Sequence, residues 1–186
     1  MRTCAILFSA RVGNGVDIAK HLMLEDDIYL LSKYQLKPCS NCHYECFTKL
    51  PCPITDDLKL IFELLNHYDQ WVIITPTYDN RPPSLFYIFE ERLPSLWNRS
   101  YSGFEDCYKN KKVYLIIIGN DGVSQTERII HTHFEERNAN IFGSLIIKPS
   151  DYSIGGGIKG SLIQNKELLV VLKPIKEWVN HAEGGF

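Results

Sequence analysis

A chain of 186 residues with 45% hydrophobic and 23% charged residues has the make-up of a soluble globular protein with a sizeable core. Its formal net charge of −2 and the lack of a basic stripe exclude nucleic acid as an expected partner. No apolar stretch nears the roughly 20 residues that span a bilayer, so no membrane partner is expected.

The first apolar run, Cys4 to Ala10, is short and leads into Arg11-Val12-Gly13-Asn14-Gly15, the pattern of a buried strand and its loop and not of a cleaved leader. A reducing, cytoplasmic setting is therefore expected, where disulfides rarely persist. Further short aliphatic runs follow at Ile28–Leu31, Trp71–Thr75, Val113–Ile118 and Ile141–Ile147, as in strands buried on both faces. Helical patterns lie between them. The first covers Val16 to Leu24. The second opens at Thr55 as N-cap, with Asp56 and Asp57 at the positive end of the dipole and Leu58, Ile61, Phe62 and Leu65 on one face. The third starts at Ser84 and points Leu85, Ile88, Phe89, Leu93 and Leu96 inward. The fourth opens with a capping box, Ser124-Gln-Thr-Glu127, and buries Ile130, His133 and Phe134. The last runs from about Leu162 to Trp178, with Pro174 expected to kink or divide it. Five β–α units in series predict an α/β fold: one domain over residues 1–186, built on a doubly wound, five-stranded parallel sheet in the order 2-1-3-4-5 with helices on both faces. Ligands of such sheets bind beyond the carboxyl ends of the strands, at the switch point between strands 1 and 3.

Three loops meet there. Ser9-Ala10-Arg11-Val12-Gly13-Asn14-Gly15 offers a hydroxyl, a guanidinium and the amides of a helix start, features that suit a terminal phosphate. Asp17 would repel that phosphate if it faced the site. After strand 3, Pro76-Thr77-Tyr78-Asp79-Asn80-Arg81 supplies an aromatic face with donors and acceptors for a planar heterocycle. After strand 4, Gly119-Asn120-Asp121-Gly122 lets backbone approach a ligand closely. Gly155-Gly-Gly-Ile-Lys-Gly-Ser161 nearly spells a Walker loop, but its lysine is misplaced and it follows strand 5, away from the switch point; a glycine-rich flap or plain loop fits it better. His131 and His133 are not spaced to share a helix face, and His43 reads as an exposed loop residue.

A cysteine-rich loop follows strand 2, over residues 38–53. Cys39, Cys42, Cys46 and Cys52 are spaced C-x2-C-x3-C-x5-C. Four thiols so close in a reducing setting fit a [4Fe–4S] cluster, a structural zinc, or unmetallated redox-active thiols, and all three stay open. Cys4 packs in strand 1, and Cys107 has no evident role.

The stretch from Pro38 to Tyr78, with the four cysteines, Cys52-Pro-Ile-Thr-Asp-Asp57 and Trp71-Val-Ile-Ile-Thr-Pro-Thr-Tyr78, resembles the flavodoxin-like NAD(P)H-dependent FMN reductases and, more narrowly, their iron–sulfur flavoprotein branch. The resemblance extends to about Gly122. It implies non-covalent FMN, with Ser9, Arg11, Gly13, Asn14 and Gly15 around the phosphate. Pro76, Thr77, Tyr78, Asp79 and Asn80, with Gly119, Asn120, Asp121 and Gly122, would then meet the isoalloxazine. It implies an oxidoreductase with NAD(P)H as donor, a small-molecule or protein acceptor, and a homodimer or homotetramer. The iron–sulfur branch would add Cys39, Cys42, Cys46 and Cys52 as cluster ligands in an electron-transfer flavoprotein. Departures are plain: the first loop is one residue short of the family pattern, Ala10 replaces its proline, and Gly15 replaces a hydroxyl residue. The middle cysteine gap is three where the branch has two. From a different class, a non-enzymatic binding module with a zinc loop fits the same departures. No catalytic side chain is assigned, because the flavin itself would carry the chemistry.

Overall fold

The five aliphatic runs form parallel strands, and those inside the sheet have side chains that are apolar in both directions of the pleat and can be covered on both faces. In the computed structural model, which describes residues 1–23, 25–40, 42, 45, 52–93, 107–152 and 160–181, β1 (Thr3–Leu7) pairs with β2 (Ile28–Leu30) on one side and with β3 (Gln70–Pro76) on the other. β4 (Lys112–Ile118) and β5 (Asn140–Ile147) complete the sheet in the order β2-β1-β3-β4-β5. This is the expected doubly wound topology.

Alternation along the strands sorts the core into two layers. Cys4, Ile6, Phe8, Trp71 and Ile73 pack with α2 (Leu58–Leu65), α3 (Ser84–Glu91) and α4 (Val123–Glu135). Ala5, Leu7, Val72 and Ile74 face the other way, under α1 (Asn14–Leu22) and α5 (Lys166–His181). The first layer is aromatic: Phe62 stacks on Phe89 at 4.9 Å, and Phe8 meets Phe86 and Phe89 edge-on at 5.4 Å. No helix among the described residues is long and apolar enough to cross a membrane.

Several local expectations are corrected. β5, at the edge where the expected order puts it, is not buried on both faces; exposed and half-buried residues alternate along most of it, and Phe142 is 56% exposed. A bulge opposite Val113/Tyr114 takes up Phe142, and Gly143 lies so near Tyr114 that a Cβ there would sit 2.9 Å from its ring. Asp57, not Thr55, is the N-cap of α2, and no side chain caps it. The two acids instead hold the preceding chain: the Gln35 amide donates to Asp57 at 2.7 Å and the Lys37 amide to Asp56 at 3.1 Å. α3 is rotated from expectation, with Phe86, Phe89 and Leu93 buried while Leu85 and Ile88 are half-buried; Leu96 lies outside the described residues. The capping box does not form, because the N-cap of α4 lies two residues earlier, at a left-handed Gly122, and Glu127 accepts from Ser144 on β5. Leu162–Gln164 is a separate short turn; α5 starts where the Asn165 side chain accepts from the Glu167 and Leu168 amides. Pro174 sits inside an undivided helix.

A buried ion pair ties the chain before α2 to the end of α3, both on the first layer. Arg92, just past α3, places Nη1 2.6 Å from Asp56, with both side chains under 5% exposed. It also donates to the Lys37 carbonyl at 2.8 Å. Removing one member leaves a buried charge without its partner, so Asp56→Asn should cost about 3–5 kcal/mol in urea unfolding, and the apolar double replacement Asp56→Leu/Arg92→Leu much less. His133 is enclosed by Phe86, Tyr108 and Phe134. Burial pushes its pKa below the ordinary 6.5, against the pull of Glu90 3.3 Å away. The folded chain therefore resists a proton that the unfolded chain accepts. The stability that this site contributes is full above about pH 6.5 and falls as pH drops toward the depressed native value. Urea midpoints between pH 7.5 and 5.5 should fall less steeply for His133→Phe than for the natural chain.

Candidate functional site

At the carboxyl ends of β1, β3 and β4 lies a cleft of about 420 Å³. Its floor is apolar, from Ile74, Pro76 and Ile118. One wall is the loop Ser9–Gly15; the other carries Thr77, Tyr78, Gly119, Asn120 and Pro149. Ten of the sequence-predicted residues thus meet in one place: Ser9, Arg11, Gly13, Asn14, Gly15, Pro76, Thr77, Tyr78, Gly119 and Asn120. Thr77 and Asn120 are shared with an adjoining hollow of about 370 Å³ whose other lining residues are Asp79, Asn80 and Asp121. Gly122 lines neither; it forms the turn behind them.

The first loop holds itself in shape. The Ser9 hydroxyl donates to the Arg11 carbonyl at 2.9 Å and accepts from the Arg11 amide at 3.1 Å. α1 then starts from Gly13 without any side-chain cap, so its start presents amides and the positive end of the dipole. Arg11 is exposed and has no ion-pair partner among the described residues. A Cβ on Gly15 would lie 3.4 Å from Ile74, so this residue lets α1 sit close on the sheet. Asp17 does not face the loop's anion position; it accepts from the Ser161 hydroxyl at 3.1 Å, and the Asn14 side chain accepts from the Leu162 amide at 2.9 Å. The end of the glycine-rich segment therefore packs beside this loop, contrary to its expected place away from the switch point. Its residues 153–159, with Gly155, lie outside the described residues.

The second wall is an interlock of two turns. Tyr78 and Arg81 exchange backbone hydrogen bonds at 2.9 and 3.0 Å, with Asp79 at φ 48° and Asn80 at φ 61° between them. Positive φ at both central residues is the mark of a type I′ turn, which Asp and Asn tolerate best after Gly. The turn leaves the Tyr78 ring 44% exposed at the cleft. The β4 loop passes so close that a Cβ on Gly119 would fall 2.1 Å from Thr77, and one on Gly122 2.2 Å from Asn80. Thr77 is also bonded to Thr126 at 2.7 Å, and Asn120 accepts from the Ser150 amide at 2.9 Å. These side chains shape the loops. Sequence reasoning missed Ile74, Ile118 and Pro149 as lining residues; their signal was position, since each ends or follows a strand at this edge.

The described cysteines of the run lie elsewhere, with Cys39 and Cys52 against the end of α3. The Cys39 amide donates to Glu91 at 2.7 Å, and Arg92 donates to the Cys52 sulfur at 3.9 Å. Although exposed, the Cys39 thiol has its pKa raised by what burial it has and then by the nearby Cys42 thiol, with smaller pushes from Glu91 and Cys52. Cys39, Cys42 and Cys52 thus share one neighbourhood, while Cys46 and His43 lie outside the described residues. Among the described residues, no three ligating side chains converge to hold a metal. Cys4 and Cys107 are buried core thiols; burial pushes Cys107 up to about 12.

No family model matches the chain. An iron–sulfur flavoprotein of Methanosarcina thermophila is 25% identical over 150 residues, covering 79% of this chain and 72% of that protein. Among solved structures, an NADH:FMN oxidoreductase superposes with a TM-score of 0.63 at 12% identity, over 97% of this chain and 89% of that one. An NADPH-quinone reductase from P. pentosaceus gives 0.59 at 12%, over 96% and 98%. The general stress protein 14 of Treponema denticola, solved in complex with FMN, gives 0.51 at 15%, over 83% and 90%. The chain has the flavodoxin-like fold of the NAD(P)H-dependent FMN reductases.

The interlock makes a stability prediction. Gly122→Ala should destabilise by at least about 1–2 kcal/mol, the cost of left-handed backbone with a Cβ, with more from the clash against Asn80. Gly13→Ala, where nothing lies within 4 Å of the added carbon, should cost less in thermal stability, about 0.5–1 kcal/mol for an alanine at the N-cap of α1.

Proposed function

We propose that the cleft binds FMN non-covalently and that the protein is an NAD(P)H-dependent FMN oxidoreductase serving a small acceptor. One observation carries this: a single cleft joins a cationic loop and an uncapped helix start to an apolar floor beside an exposed tyrosine. That division suits a molecule with an anion at one end and a flat apolar ring at the other. When bound, flavin supplies hydride and electron transfer, which no side chain here offers. Arg11 and the amides from Gly13 to Gly15 would hold the phosphate. With Asp17 turned to Ser161, no carboxylate among the described residues lining the cleft opposes it. Ile74, Pro76, Ile118 and Tyr78 would exclude water from the ring, and backbone at Gly119 would approach it closely. The solved relatives named for FMN or NAD(P)H chemistry support the same assignment.

The shared neighbourhood of Cys39, Cys42 and Cys52, together with the curated iron–sulfur relative, favours a second form of this function, an electron-transfer flavoprotein with a cluster. Iron and sulfide analysis of anaerobically purified protein distinguishes the two.

Visible spectra and FMN titration test the main proposal. The protein should take up FMN, and Arg11→Ala should weaken binding about ten- to a hundredfold, as expected for one charge-assisted hydrogen bond of about 1.5–3 kcal/mol. Tyr78→Ala should weaken it too. Colourless protein that takes up no added FMN overturns the assignment.

A further inference from the structure

A second cleft, also of about 420 Å³, opens at the opposite edge of the sheet, where the strands begin. Three elements wall it: the start of β1 with Arg2, the end of α1 with Lys20 and His21, and the last turns of α5 with Lys176. Leu22 and Val179, both buried, give it an apolar floor. Nothing in the flavin assignment uses it.

Its charges are out of balance. Asp27 is the one acid among the described lining residues, and it is already engaged: the Tyr68 hydroxyl donates to it at 2.8 Å, and Arg2 lies 3.7 Å away. Lys20 reaches out to Glu25 at 2.5 Å. Lys176 has no ion-pair partner among the described residues. It stands close enough to His21 that its charge, after burial, lowers the imidazole pKa. The dipole of α1 accounts for Lys20 and His21 in its last turn. It does not account for Lys176, which comes from another element, faces the same space and lacks the carboxylate that Arg2 has in Asp27. On α5, Lys176 shares its face with Val179 and Asn180, three and four residues on, so the cation projects over the apolar floor.

We propose that this cleft is a second, non-flavin binding site for a small oxyanion, a phosphate or carboxylate group on a short apolar body. Lys176 and His21 take the anion, with Arg2 adding its charge from its pair with Asp27, while Leu22 and Val179 take the apolar part. The bound anion is the counter-charge that Lys176 lacks. It also removes the repulsion between Lys176 and His21, so its binding is linked to proton uptake on the imidazole. The groups that face His21 across the cleft are Lys176, Lys20, Arg2 and Asp27.

The test is an NMR titration of the whole chain with inorganic phosphate and with acetate at constant ionic strength, with chloride as reference. Saturable shifts are expected at the His21 ring and at the Leu22 and Val179 amides, with an upward move of the His21 pKa. Lys176→Ala should weaken this response about tenfold or more, the loss expected for one charge-assisted bond. The same variant should leave untouched any phosphate-induced shifts at Gly13 to Gly15, which report the loop at the other edge. A response to phosphate alone identifies a phosphate-bearing ligand, and a response to acetate a carboxylate. Shifts that do not saturate, that match those of chloride, or that survive Lys176→Ala overturn the site, whatever the outcome of FMN titration.

Discussion

The hydrogen-bonded pairing of β1 with β3 is the constraint on which the rest depends. It joins segments 67 residues apart, with a buried bond at its start from the Thr3 hydroxyl to Gln70 at 2.9 Å. Because the chain visits the edge strand β2 before returning to β3, the helices after β1 and β3 cover opposite faces of the sheet. Their entry loops must then part, and the gap between them is the cleft. The ladder continues past the strand ends: the Phe8 amide donates to Ile74, the Thr77 amide to Ile118 and the Gly119 amide to Ile147. Each exit loop is thus tied to its neighbour by backbone before any side chain acts.

This arrangement explains why so many polar side chains around the cleft are turned to structural tasks. Ser9 folds its own loop, Asn14 and Asp17 hold the segment before α5, Thr77 holds α4, and Asn120 holds the turn after β5. What remains toward the cleft is backbone, one guanidinium, one aromatic ring and an apolar floor. Recognition built this way depends on shape and on fixed dipoles, which need no reorganisation when a ligand arrives.

The opposite edge and the cysteine region follow different physics. At the amino ends, cations from β1, α1 and α5 converge with few acids among the described residues to match them, a consequence of packing two helix ends against a strand start. Beside α3, the buried Arg92–Asp56 pair anchors the chain leading into the cysteines and touches Cys52 itself. A change of charge at Cys52 would be felt by that pair, since Arg92 reaches its sulfur directly.

Much of this was legible in the residues. Aliphatic runs and their alternation determined the strands, their parallel order and the edge at which ligands bind, because burial on both faces leaves few other solutions for such runs. Glycines and prolines marked the loops, since backbone freedom is local. Helix starts were misread at Thr55 and Ser124 because capping depends on which polar group finds the better partner, and Asp56, Asp57 and Glu127 found theirs in distant segments. Whether β5 is covered on both faces, whether Asp17 turns to a serine, and how closely Gly119 and Gly122 approach the neighbouring turn were decided only by the tertiary structure. Those are questions of close approach between segments far apart in sequence, and local composition carries no measure of that distance.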